Sequence, residues 1–394
     1  MLKKERKGRG YLLVLAVLSV ILLFGALFLY RQVTGRLDIR PLLGSGEETA
    51  LQVPAGFEAN MFAQGLNNPR FMAFGPDGVL YVAERGNGRI VALPDSDGDG
   101  LADGIREFAG SLDQPHSLVY HEGAWYVGVP SGVIRLEDGD GDGVAEQRTA
   151  VVDNLPASGS HRTRTVEFLP DSRMVVSVGS SCNVCDEEDP RRATVLVYDD
   201  AQGGGERIYA QGLRNAVGLA IHPETGLLWA TNNGRDLLGD DLPPETVYIV
   251  QEGMDYGWPR CHSGDVLDPE FGQPGACDGV GQPLVQMQAH SAPLALAFYS
   301  GDSFPGEYRG DLFIAFHGSW NRSVPTGYKV VRLPLRGSEP AGPIEDFVTG
   351  WLDVEGFQAS GRPAGLAVGP DGALYISDDK GGFIYRVTYN GSGR

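Results

Sequence analysis

The stretch from Gly361 to Tyr389 reads GRPAGLAVGPDGALYISDDKGGFIYRVTY, and the chain repeats it. An apolar strand, Ala364 to Val368, runs into the turn Gly369-Pro370-Asp371-Gly372; a second strand covers Ala373 to Ser377, and after a polar loop a third covers Phe383 to Tyr389. Proline presets φ and glycine supplies positive φ, so GPDG between two apolar runs predicts a hairpin. Versions of the same unit occur at Asn68 to Leu93, Gln114 to Leu136, Gly159 to Tyr198, Leu213 to Val250 and Ser291 to Leu335. Units of short strands that cannot bury their own faces must stack on one another. Six of them predict an all-β fold, a six-bladed β-propeller of four-stranded blades. The segments IREFAGSL, RTAVVDNL, RIYAQGL and IEDFVTGW precede the next copy and read as outer strands. FEANMFAQG, from Phe57 to Gly65, precedes the first copy, so it reads as the outer strand of the last blade, closing the ring and removing sheet edges. A β-sandwich or two smaller β domains are the alternatives, and the repeat disfavours both.

Ahead of the repeats, residues 1–10 form a basic tail and Tyr11 to Tyr30 holds twenty residues without a charge. That length spans a bilayer as one helix, and GALFLYRQ makes a poor signal-peptidase site, so a retained transmembrane anchor over 11–30 is expected. Residues 31–54 read as a linker and 55–390 as the propeller. The N-terminal basic cluster predicts that the propeller lies outside the cytoplasm, periplasmic or extracellular. The formal charge of −19 includes that tail, so the propeller is more acidic still, which disfavours nucleic acid and anionic lipid surfaces as partners. The cysteines form two local pairs, Cys182/Cys185 and Cys261/Cys277, which outside the cytoplasm read as disulfides rather than a zinc or redox site.

Two acidic loops follow the first repeats: Asp95, Asp97, Asp99 and Asp103, then Asp138, Asp140, Asp142 and Glu146. Carboxylates at alternate positions with interleaved glycine suit Ca²⁺. Both depart from the EF-hand at position 12, occupied here by Arg106 and Thr149, so an ion-free acidic turn remains the alternative. Residues just before each inner strand should ring one mouth of the central channel: Arg70, His116, His161, Arg214 with Asn215, the His290 region and Arg362. Loops after second strands add Glu84, Arg85, Gly234, Arg235 and His317 to Arg322. Arginine and histidine at matched positions of an acidic protein point to an anionic ligand beside a general base. His121, His222 and His262 read as structural.

The segments GSHRTRTVEFLPDSRMVVSVGSS, LRNAVGLAIHPETGLLWATNNGRDLLGDDLPPE, VQEGMDYGWPRC and GRPAGLAVGPDGALYISDD resemble the glucose/sorbosone dehydrogenases, six-bladed propellers that use pyrroloquinoline quinone (PQQ) and Ca²⁺. The likeness covers nearly all of Leu51 to Tyr389, and the sorbosone and aldose sugar dehydrogenase branch fits best. The resemblance implies that Arg214, Arg322 and Arg362 hold the three carboxylates of the quinone, with Asn215, Trp320 and Asn321 nearby. It implies that backbone carbonyls at Gly234-Arg235 hold the Ca²⁺ and that His161 is the general base for a sugar hydroxyl. The chain departs from the glucose dehydrogenases in three places: Ser160 stands before His161 where they carry Asp, Trp320-Asn321-Arg322 replaces a cofactor-binding Lys, and Arg235 stands where they have Pro. These departures argue against glucose as substrate. The expected activity is oxidation of a sugar or related aldehyde or polyol, with electrons leaving to a membrane quinone or a cytochrome, since the chain has no CxxCH motif. A Ca²⁺-dependent lactone hydrolase and a non-catalytic cell-surface binding propeller are the competing readings.

Overall fold

The computed structural model describes residues 51–391 except 354 and 356. The basic tail and the transmembrane span expected over 1–30, with all of the linker up to residue 50, lie outside the described residues. Among the described residues no helix is long and apolar enough to cross a membrane.

Six antiparallel four-stranded sheets form. Blade 1 contains Pro69–Phe74, Leu80–Glu84, Arg89–Leu93 and Arg106–Ala109; blade 2 contains Ser117–His121, Ala124–Val129, Gly132–Glu137 and Gln147–Val152. Blade 3 runs Val166–Phe168, Met174–Val178, Thr194–Tyr198 and Arg207–Gln211. Blade 4 runs Leu219–Ile221, Leu228–Asn232, Glu245–Val250 and Val285–Met287. Blade 5 takes Pro293–Phe298, Leu312–Phe316, Lys329–Leu333 and Glu345–Val348, and blade 6 takes Pro363–Val368, Leu374–Asp378 and Phe383–Tyr389. Phe57–Gln64 completes blade 6, with Phe57 opposite Tyr389 and Gln64 opposite Phe383, so the ring closes by pairing the two ends of the propeller. At the end of the segment expected as linker, Gln52 exchanges two 2.9 Å backbone hydrogen bonds with Thr349, and Leu51 and Val53 pack on the core. The outer strand of blade 4 had no counterpart in the sequence reading. An excursion stapled by the Cys261–Cys277 disulfide separates it from its blade.

Burial follows position within the blade. Every second strand is buried along its whole length, as in LYVAE, MVVSV and LFIAF, because neighbouring blades cover both of its faces. Four of the six outer strands expose their first residues, as in Arg106–Ala109 and Glu345–Val348. The apolar core is correspondingly divided into one cluster per blade interface.

At the hub the blades are stitched together by hydrogen bonds. Ser377 Oγ donates to Arg70 O (2.6 Å), Phe71 N to His116 O (3.0 Å), Ser117 Oγ to Arg164 O (3.0 Å) and Thr231 Oγ1 to Leu294 O (2.7 Å). Thr165 Oγ1 bonds Val217 O in the same manner. Gly218 and Gly365 permit this closeness: a Cβ on Gly218 would stand 2.1 Å from Leu294 O, and one on Gly365 would stand 2.5 Å from Arg70 O. The ring fixes the backbone of residues that lead into the inner strands, and these are the residues that line the channel mouth.

Candidate active site

Two cavities meet at that mouth. An inner one of about 200 Å³ is lined by Arg70 and Arg85 of blade 1, His161 and Arg162 of blade 3, Asn215 of blade 4 and Leu294 of blade 5, among others. An outer cleft of about 360 Å³ is lined by Ser160, His161, Asn183, Arg214, Asp236, Leu237 and Trp320. Ser160 and His161 belong to both, so the imidazole stands between the two spaces.

The hydrogen bonds of His161 select its tautomer. Its Nδ1 lies 3.0 Å from Ser180 O and 2.9 Å from Ser180 Oγ. The Ser180 hydroxyl donates its proton to Cys182 O at 2.7 Å, so its oxygen acts as an acceptor towards the ring. Two acceptors at Nδ1 place the proton there, and Nε2 keeps its lone pair. A serine hydroxyl and a backbone carbonyl thus orient the ring where a carboxylate would be the usual device. Burial, reinforced by the Arg214 guanidinium, lowers the His161 pKa from 6.5 to about 3, so the ring is neutral at ordinary pH.

The cations divide into paired and unpaired. Arg70 forms a buried ion pair with Asp379, which also accepts from His317 Nε2 at 2.9 Å. Burial raises the Asp379 pKa, but His317, Arg70 and Arg362 outweigh it and hold the carboxyl below its ordinary range. Burial also lowers His317 to about 4, and it lowers His116, which accepts from Arg70 Nε at 3.3 Å and leaves its buried Nε2 without a partner. Arg85 reaches Gln114 Oε1 at 2.8 Å, and after burial its strongest perturbers are the like charges of Arg70 and Arg162. Three guanidiniums near one small cavity repel one another, and a bound anion would relieve that repulsion. Arg214 is buried, pairs with Asp236 Oδ2 at 2.9 Å and bonds Asn183 through Nε and Nη2.

The remaining expected residues are distributed as follows. Asn215 lines the inner cavity and Trp320 the outer cleft. Arg362 lines neither: its Nε donates to His317 O at 2.9 Å and its Nη2 to Gly318 O at 2.6 Å, bracing the loop that carries Trp320. Arg322 also lines neither; it bonds Asp240 O and reaches Asp241 Oδ1 at 3.1 Å. Asn321 has a buried amide whose oxygen and nitrogen both lack a partner. Gly234 donates its N–H to Glu245 Oε2 at 2.6 Å, and the Arg235 side chain turns away to Asp268 and Glu270. Among the described residues no hydrogen bond reaches the carbonyl oxygens of Gly234 or Arg235. His290 bonds Gly239 O at 2.8 Å, and Glu84 is fully buried as an acceptor for Asn67 N and Asn87. The two acidic loops connect the third and fourth strands of blades 1 and 2. Asp138, Asp140, Asp142 and Glu146 converge within 4.8 Å of one another, as do Asp95, Asp97 and Asp99. Asp103 instead accepts Ser96 N at 2.9 Å. Both cysteine pairs are disulfides. His121 stacks on Phe168 at 3.8 Å between ring centroids, and His262 bonds Asp268 at 2.8 Å, in keeping with structural roles.

The sequence reading did not single out Arg162, Asn183, Asp236, Leu237 or Asp379. For Asp379 a signal existed. Strand register pairs Pro69 with Glu84, Pro293 with Phe316 and Pro363 with Asp378, which makes Arg85, His317 and Asp379 equivalent residues of three blades.

A closed six-bladed propeller with a neutral histidine between two arginine-bearing cavities at one mouth defines a class of small-molecule site built from inner-strand leads. The chain belongs to the TrAA12-like family, whose model matches residues 51–264 and 272–390, within the PQQ-dependent sugar dehydrogenase propellers. The PQQ-dependent pyranose dehydrogenase of Coprinopsis cinerea is 28% identical over 404 residues, covering 86% of this chain and 54% of that protein; the chain therefore spans about half the length of that relative. An uncharacterised protein of Borreliella burgdorferi is 28% identical over 361 residues, 86% of this chain and 91% of that one. Among solved structures, the holo PQQ domain of the C. cinerea enzyme superposes with a TM-score of 0.75 at 24% identity, covering 87% of this chain and 98% of that one. A calcium structure of the family AA12 enzyme of Trichoderma reesei superposes with a TM-score of 0.75 at 20% identity, covering 88% and 98%. At these identities the superpositions establish the fold.

Proposed function

We propose that this protein is a PQQ- and Ca²⁺-dependent dehydrogenase that oxidises a pyranose or related aldehyde or polyol, with His161 as the base. The observation that carries the reading is the imidazole between the two cavities, its Nδ1 proton committed to Ser180 and its Nε2 left as an acceptor. The site's donor set fits a planar tricarboxylate. Arg70, Arg85 and Arg162 offer charge and Asn215 offers a hydrogen bond from the inner cavity, while Arg214 stands on the other side of His161 in the outer cleft. The free carbonyls of Gly234 and Arg235 suit a hard cation. When bound, the quinone and its cation supply a two-electron acceptor for the hydride lost by the sugar carbon.

The chain's own residues do the rest. His161 Nε2 accepts the proton of the sugar hydroxyl while Ser180 holds the ring in place. At a pKa of about 3 the imidazole is a weak base. Burial is the larger cause of that shift, and an anion bound beside Arg214 would offset only the smaller part that this guanidinium contributes. Arg322 and Arg362 act through backbone carbonyls, fixing the segments that carry Asp240 and Trp320. We further propose that the N-terminal anchor keeps the propeller outside the cytoplasm, where the two disulfides are stable, and that a membrane quinone or a cytochrome takes the electrons. The acidic loops of blades 1 and 2 are proposed as structural Ca²⁺ sites.

The test is reconstitution of the full chain with Ca²⁺ and PQQ, followed by absorbance and by dye reduction on a panel of aldoses. His161→Ala should cut turnover by about 10²–10⁴-fold while quinone absorbance on binding is retained. Absence of any quinone binding in the presence of Ca²⁺ would overturn the assignment.

A further inference from the structure

Among the described residues the two most exposed large apolar side chains are Trp320, 72% exposed, and Leu237, 70% exposed, and both line the outer cleft beside His161. Solvent-exposed apolar groups scattered over a surface need no account, but two gathered on one cleft do. Leu237 carries a second anomaly. Its φ is +71°, the left-handed region that a branched residue avoids and that glycine or asparagine would occupy without strain. An exposed leucine in that conformation gains nothing for folding. Strain of this kind persists where the surroundings enforce it, and it concentrates at ligand sites.

The surroundings do enforce it. The segment 236–241 lies in the loop between the second and third strands of blade 4 and is fastened at both ends. At one end Asn183 accepts Asp236 N at 2.8 Å and donates to Asp236 O at 3.0 Å, while Arg214 holds the Asp236 carboxylate at 2.9 Å. At the other end His290 reaches Gly239 O at 2.8 Å, and Ser323 N donates to Asp240 Oδ1 at 3.0 Å beside the Arg322 contact to Asp240 O. Leu237 therefore stands on a strap whose course is set by its anchors.

We propose that Leu237 and Trp320 form an apolar clamp that grips the C–H face of a pyranose ring and presents its hydroxyl edge to His161, making Leu237 a specificity-determining residue. A sugar ring is amphipathic: its axial C–H bonds form an apolar face and its hydroxyls a polar rim. An indole plane suits the former, and Arg214, Asp236 and Asn183 lie in the same cleft to meet the latter. The inference rests on the dehydrogenase reading, and the test separates the two.

The full chain, reconstituted with Ca²⁺ and PQQ, is compared with Leu237→Gly and Leu237→Asn, both of which accept positive φ. D-glucose, D-galactose, D-xylose and maltose serve as probes. The expected result is that quinone binding is unchanged in both variants, the thermal midpoint is unchanged or raised, and KM for the oxidised pyranose rises about tenfold with kcat altered far less. Tryptophan fluorescence of the acceptor-free holoprotein, titrated with the same sugar, should show the same loss of affinity. If quinone does not bind the parent chain, the dehydrogenase reading fails. If quinone binds and sugars are oxidised, but sugar KM and the fluorescence titration are the same in parent and variants, the clamp alone is wrong. A change in KM for the electron acceptor without a change for the sugar also overturns it and makes the pair an acceptor contact.

Discussion

Glu167 allows a quantitative test of how this propeller tolerates an ionisable group at a half-buried position of an inner strand. It sits in the inner strand of blade 3 and pairs with Val175. The register-equivalent positions of the other blades pair Ala73 with Tyr81, Val119 with Tyr126, Ala220 with Trp229, Ala297 with Phe313 and Ala367 with Tyr375. Five blades fill that space with a small residue and an aromatic ring; blade 3 fills it with a carboxylic acid and a valine. Burial raises the pKa of Glu167 from 4.5 to about 8. The folded state therefore holds this proton more tightly than the unfolded chain between those values. Stability contributed by the group is intact below pH 4.5 and is lost as pH rises through about 8. At about 1.4 kcal/mol per pKa unit the loss has a ceiling of roughly 5 kcal/mol by pH 9. With an unfolding entropy of about 2.1 cal/mol/K per residue, a propeller of roughly 340 residues converts that into about 7 °C of Tm. Glu167→Gln removes the titration, so the Tm difference between the variant and the parent should widen in favour of the variant from pH 5 to pH 9. The assay is calorimetry or circular dichroism melting across that range. Parallel Tm profiles for the two proteins would refute the reasoning, since they would mean Glu167 titrates alike in both states.

Two further expectations concern the hub and the rim. Asp379→Asn leaves Arg70 buried without its counter-charge and gives His317 a neutral amide oxygen in place of the carboxylate, so urea unfolding should show a loss of about 3–5 kcal/mol; a loss below about 1 kcal/mol would mean the pair is not buried in solution. If the acidic loops of blades 1 and 2 bind Ca²⁺, a concentration 100 times the dissociation constant adds about 2.7 kcal/mol per loop, near 4 °C of Tm each, and Asp97→Asn with Asp140→Asn should remove the response; a Tm indifferent to Ca²⁺ and to chelator would dismiss both loops.

Much of this was legible in the residue order. Hairpin turns, β-branched strands and repetition are local properties, and they specify the number of blades and the strand from Phe57 that closes the ring. The outer strand of blade 4 was not legible, because the disulfide-stapled excursion before it breaks the repeat. Positions leading into the inner strands and loops after second strands could be ranked as mouth residues from their place in each copy, and His161, Arg214, Asn215 and Trp320 do line cavities there. Side-chain direction was beyond the sequence. An arginine at a mouth position can face the cavity, as Arg85 does, or turn to a neighbouring blade's carbonyls, as Arg362 does to His317 and Gly318. The choice depends on acceptors that come from a different repeat. The same holds for the ion pair of Arg70 with Asp379, 309 residues apart, and for the strained course of Leu237 between anchors on Asn183 and Arg322. What a single repeat can encode is its own strands and turns; which charges meet and which remain free for a ligand is decided when six repeats share one hub.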